Sequence, residues 1–116
     1  MPNLFEETVE VFARYNKTWA DINWIGCDDF SISLVNFIEV AKQTNYNSGY
    51  GTEEVAVDLV ITFNDGSWLS RGQYDGSEWW VYNAYPQKPK ERHNYISTLA
   101  NPRGGYRGLK YMNLKP

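Results

Sequence analysis

The clearest regularity along the chain is a period-two pattern of apolar and polar positions carried by three short segments between residues 55 and 85. Side chains on a strand point to opposite faces in turn, so this pattern marks strands rather than a helix. VAVDLVITF (55–63) is rich in β-branched residues, and WLSRGQY (68–74) and WWVYNAY (79–85) follow at short spacing. Asn64-Asp65-Gly66-Ser67 and Asp75-Gly76-Ser77-Glu78 separate them. Glycine tolerates positive φ and aspartate adopts it at modest cost, so each Asp-Gly pair predicts a tight turn. The three segments read as an antiparallel meander over residues 55–85.

Parity then assigns faces. With Asp65-Gly66 as a two-residue turn, Phe63 pairs with Trp68, Ile61 with Ser70, Leu59 with Gly72 and Val57 with Tyr74. Residues directly opposite share a face. Trp79, Val81 and Asn83 join them whether the second loop holds two or four residues. The face made by Val57, Leu59, Ile61, Phe63, Trp68, Tyr74, Trp79 and Val81 is strongly apolar and is expected to form the core. The opposite face holds Asp58, Val60, Thr62, Leu69, Arg71, Gln73, Trp80 and Tyr82. It is expected to lie outside that core.

Helical periodicity appears twice. Over residues 3–16, Phe5, Val9 and Phe12 recur at i, i+4, i+7, with Asn3 as N-cap and Glu6 at the capping-box position. Over residues 33–43, Ser33 caps a stripe of Leu34, Phe37, Ile38 and Ala41. WADINWIGC (19–27) reads as a short strand, and Asn45–Gly51 as a loop. The fold class expected is α+β, with two helices on one face of a three- to four-stranded antiparallel sheet.

Charge divides the chain. Residues 1–86 hold 13 Asp/Glu against four Lys/Arg, a net −9; residues 87–116 hold seven Lys/Arg against Glu91, a net +6. Pro86 and Pro89 mark the break. This predicts a single acidic domain over 1–86 and a basic, Pro- and Gly-containing extension over 87–116 that packs on the domain or on a partner. The whole chain has 116 residues, 16% aromatic, with five Trp and nine Tyr. That is enough for one core without disulfides, which a lone Cys27 excludes within the chain. No basic segment followed by an apolar run opens the sequence, and no apolar stretch is long enough for a span, so neither a leader nor a membrane contact is expected.

Catalytic signals are few. His93 is the sole histidine and has no nucleophile near it in sequence. Cys27 reads as a buried small hydrophobe, and Asp28-Asp29 as a turn or cap rather than a metal site. Gly104-Gly105 does not join a strand to a helix, so no phosphate loop is present. The expectation is a protein without catalysis or cofactor. The constellation with chemical content is Arg71, Trp80 and Tyr82. An arginine forks onto phosphate or carboxylate while the rings stack on a planar group. Arg103 and Arg107, in a stretch with Tyr106 and Lys110 that resembles a short RGG-like segment, would close such a pocket, in the same chain or from another protomer. That basic stretch reads more simply as charge lying across an acidic body, so nucleic acid is not an expected partner. Packing of Trp80 and Tyr82 against other parts of the chain is the plainer alternative to a pocket. The carboxylates Glu6, Glu7, Glu10, Asp21, Asp28, Asp29, Glu53 and Glu54 offer a second binding mode, as a mimic of a phosphate backbone.

DLVITFNDGSWLSRGQYDGSEWW (58–80), with NFIEVAKQTNYNSGYGTEEVAVDL (36–59) before it, resembles a recurring block in small proteins of phages and prophages of Gram-positive bacteria. The likeness covers about residues 20–85, stops before the basic extension and brings no catalytic residues. It implies the cytoplasm of an infected bacterial host and a role against host defence. Two modes follow from it. One is a sponge, often oligomeric, that sequesters a small nucleotide-like signal, the leading expectation. The other is an acidic, anti-CRISPR-like inhibitor of a defence nuclease. A small nucleotide-acting enzyme is the third.

Overall fold

The computed structural model describes residues 2–47, 52–105 and 107–113. Residues 48–51 of the expected loop, Tyr106 and Lys115 lie outside that range. The chain divides into two compact units, residues 1–86 and 87–116.

The first unit is α+β. Helices α1 (Leu4–Arg14) and α2 (Leu34–Lys42) accompany a five-stranded antiparallel sheet of β1 (Ile22–Gly26), β2 (Ser31–Ile32), β3 (Val60–Phe63), β4 (Trp68–Tyr74) and β5 (Ser77–Asn83). The strand order is β2-β1-β3-β4-β5. Both helices begin where their caps predict: the side chains of Asn3 and Ser33 accept from the amides of Glu6 and Asn36, each at 3.1 Å. The buried stripe of α1 is Leu4, Thr8, Val11 and Phe12, rotated from the expected Phe5, Val9 and Phe12. Val9 faces solvent and Phe5 stacks at the margin on Trp19. Thr8 can sit in the core because its hydroxyl donates to the Leu4 carbonyl at 2.7 Å. Asn3 also joins the two helices, donating to the Lys42 carbonyl and the Asn45 side chain.

The meander is present, with β3 confined to Val60–Phe63 because Ala56–Leu59 turns instead of extending. Its second turn takes the shorter of the two loop lengths open to the sequence: Tyr74 pairs with Ser77, and Asp75 and Gly76 take φ of 50° and 84°. The first turn differs. The register is Ile61↔Leu69 and Thr62↔Trp68, so Asn64, Asp65 and Gly66 form a three-residue loop closed by the Phe63 amide on the Ser67 carbonyl at 2.9 Å. Among these residues only Gly66, at 89°, has positive φ. A two-residue type I′ turn needs it at both central positions, so Asp65 is in the geometry of a type I turn followed by a glycine bulge. Its carboxylate instead accepts from the Ser67 amide at 2.9 Å and pairs with Lys17.

One extra loop residue exchanges the faces of β3 relative to β4 and β5. The expected pairing of Phe63 with Trp68 is therefore corrected, and with it the assignment of the core. Ile61 and Phe63 share a face with Leu69, Arg71, Trp80 and Tyr82, and this inner face receives the helices. Trp80 is 4% exposed while Trp79 is 41% exposed, the reverse of the expectation. Val57 and Tyr74, assigned to the core by sequence, are exposed. Relations within β4 and β5 stand as read: Arg71, Trp80 and Tyr82 do lie on one face.

A second irregularity sets the other edge. β1 has a bulge at Asn23, between the pairs Ile22↔Phe63 and Trp24↔Thr62. It lets Ile22 and Ile25 both face inward and turns Trp24 outward. Gly26 then allows the β1–β2 turn to close: a Cβ there would lie 2.2 Å from the Phe30 carbonyl oxygen.

The second unit contains one short helix, α3 (Leu109–Met112). Asn113 organises it, accepting from the Ser97 and Thr98 amides at 2.8 and 3.1 Å and donating to the Leu109 carbonyl at 2.9 Å.

Candidate functional site

The inner face carries an unusual polar cluster. Arg71 reaches Glu7 of α1 through Nη1, at 3.2 and 3.0 Å to its two oxygens, and Glu78 of β5 through Nη2 at 3.1 Å. The Arg71 side chain is 4% exposed and that of Glu78 is 2%. Its guanidinium lies 4.8 Å from the Trp80 ring centroid and 5.6 Å from that of Tyr46. Glu78 also accepts the amides of Glu54 and Val55, at 2.7 and 3.2 Å. Trp80 donates its indole N–H to Thr8 at 2.9 Å. Tyr82 stacks on Tyr15, the C-cap of α1, with centroids 4.1 Å apart.

Buried Glu78 and half-buried Glu7 need this satisfaction, because an ion taken out of water is costly unless paired and hydrogen-bonded. Burial alone would lower the Arg71 pKa, but the charge of Glu7 and the hydrogen bonds Arg71 donates to its neighbours raise it above the usual value. Tyr46 donates to Glu7 at 2.7 Å. Burial, and then that hydrogen bond, push its phenol up to about 12. The sign follows from linkage: the unfolded phenol loses its proton near 10, so the neutral tyrosine stabilises the fold fully below that pH. The contribution is lost as pH rises from about 10 through about 12. Base titration of stability should thus show a steeper fall in the native protein than in Tyr46→Phe. Identical profiles for the two would refute it.

Arg71, Trp80 and Tyr82 are therefore together, as read from sequence, but they face the helices. The guanidinium that was to meet a ligand anion is directed at Glu7 and Glu78. Arg103 and Arg107 belong to the second unit, where both are exposed and Arg107 lies 4.8 Å from the Tyr111 ring centroid.

The outer face holds what the sequence reading missed. Thr62 pairs with Trp24 on one side and Trp68 on the other, so two indoles flank a small residue across three adjacent strands. Tyr85 adds a third ring, 5.3 Å from Trp68 and tilted by 55°. Together with Asp28, Val60 and Ser67 they line a cleft of about 340 Å³. Farther along the face, Trp79 lies over Gly72, where a Cβ would meet the Trp79 indole nitrogen at 3.2 Å. The register Gly26↔Val60 brings the Asp28-Asp29 turn beside the start of β3, two residues from Asp58, and all three aspartates are exposed. Trp24 and Trp68 are legible as aromatics, but their outward direction depends on the Asn23 bulge and the three-residue loop.

Among the described residues, no group of three or more His, Cys, Asp or Glu is placed to hold a metal ion, and no helix is long and apolar enough to cross a membrane. No family model, curated protein or solved structure matches the chain.

Proposed function

We propose that this is a non-enzymatic binding protein that docks on a basic protein partner through the outer face of its sheet. In the phage setting implied by its 58–80 block, that contact inhibits a host defence nuclease. The supporting observation is the distribution of charge around the aromatics. Arg71 is turned inward and paired with two carboxylates, whereas the outward indoles share a cleft with Asp28, and Asp29 and Asp58 are exposed at the same end of β3. Exposed aromatics supply contact area, and acidic neighbours steer a basic surface toward them. Glu6 and Glu10 are also exposed, but α1 packs on the opposite face, and Glu7 belongs to the Arg71 cluster.

Calorimetry against purified basic nucleases of host defence systems, at low and high salt, tests this. Binding is expected to weaken as salt rises and on Asp29→Lys with Asp58→Lys. Glu6→Lys with Glu10→Lys should leave it nearly unchanged. Absent or salt-insensitive binding would sink the reading.

Sequestration of a nucleotide-like signal is the second reading, favoured by the aromatic cleft, since base–ring stacking is indifferent to sequence. It predicts binding of a cyclic or ADP-ribose-type nucleotide by the intact protein that is lost in Trp24→Ala.

A further inference from the structure

The cleft between Trp24 and Trp68 has a chemistry more specific than apolar contact, and we infer that it receives an arginine side chain of the basic partner. The inference rests on the docking reading above and names the group that docks. Trp24 and Trp68 stand on strands either side of β3, both in register with Thr62. Two strand spacings set their backbones about 9–10 Å apart. Thr62, a small residue, leaves a low floor between the indoles. Flat groups gain most from such a site, because they can lie against an indole face over their whole area.

Charge selects among planar groups. The described lining residues include no lysine or arginine, and Asp28 stands at the rim. An anion entering here would meet a carboxylate and electron-rich ring faces with no cation to offset them. A guanidinium gains from each element instead. It stacks on indole, its charge is attracted by the ring faces, and its N–H fork matches a carboxylate. Lysine brings the charge without the plane, so it makes the ring contact and not the forked one. The net −9 of residues 1–86 favours cation approach over the same path.

The test titrates N-acetyl-arginine amide, its lysine and citrulline counterparts, and adenosine monophosphate into the full chain, observing the indole N–H resonances by NMR. Citrulline keeps the shape of arginine and removes its charge. The arginine compound is expected to shift the Trp24 and Trp68 signals saturably, and to bind about tenfold more tightly than citrulline. Trp24→Ala should abolish the response. Asp28→Asn, a surface change that leaves the rings in place, should weaken it several-fold while the spectrum stays folded. Equal response to arginine and citrulline, no response to arginine, or tighter binding of adenosine monophosphate would overturn the inference. These probes contain no protein partner. A failure here with salt-sensitive nuclease binding intact would therefore remove the arginine assignment and leave the docking reading standing.

Discussion

Trp80→Ala should lower the unfolding free energy by about 3–5 kcal/mol, the usual cost of emptying a large aromatic site in a core. Trp79→Ala, one residue away, should cost about 1 kcal/mol or less, as expected for a side chain at the surface. The contrast follows from position alone. Trp80 is 4% exposed, donates to Thr8 and carries the Arg71 guanidinium on its face, while Trp79 covers Gly72 on the outer face. Urea denaturation of the two variants measures both values. Equal costs, or a larger cost at Trp79, would mean that β5 presents its other side to the helices.

The second large effect is expected at Arg71. Arg71→Met removes the cation between two carboxylates, of which Glu78 is fully enclosed. Breaking a buried ion pair from one side leaves uncompensated charge and costs about 3–5 kcal/mol. Adding Glu7→Gln and Glu78→Gln to the same chain should recover part of that loss, because neutral amides can be buried more cheaply than orphaned carboxylates. Since these residues touch one another, the three changes should be strongly non-additive in a mutant cycle. A single Arg71→Met variant of near-native stability would show that the cluster contributes little to the fold. Its effect on any partner would then have to be sought at the surface.

Much of the architecture was readable from local pattern. Asn3 and Ser33 announce their helices because side-chain capping is a local event. Asp75-Gly76 announces a tight turn because both residues can adopt positive φ, though not its length. β2, two residues long, has too few positions to show a period. The face assignment failed at one point, Asn64-Asp65-Gly66. The same residues serve a two- or a three-residue loop, and Asp65 settles the choice through Ser67 and Lys17, the latter 48 positions away. The bulge at Asn23 has no local signature either, and depends on burying both Ile22 and Ile25. The candidate site was legible to the same extent. That Arg71, Trp80 and Tyr82 lie together follows from parity within one hairpin. That they meet Glu7 and Tyr46 depends on how α1 and the chain after α2 come over the sheet, which no alternation in the strands encodes.

The loop at Asn64–Gly66 and the bulge at Asn23 act on the outer surface chiefly through register, although Gly66 also lines the cleft. Each is an odd residue that fixes which side chains of its neighbours look outward. The aromatic cleft is thus specified by length as much as by residue type. Substitutions along β3 and β4 can vary its walls one at a time while leaving the core intact. An insertion or deletion of one residue at either place has no such gradation, since it would send indoles inward and buried isoleucines outward along a whole strand. Relatives of this chain that keep the surface should therefore tolerate changes of sequence in the strands and resist changes of length between them.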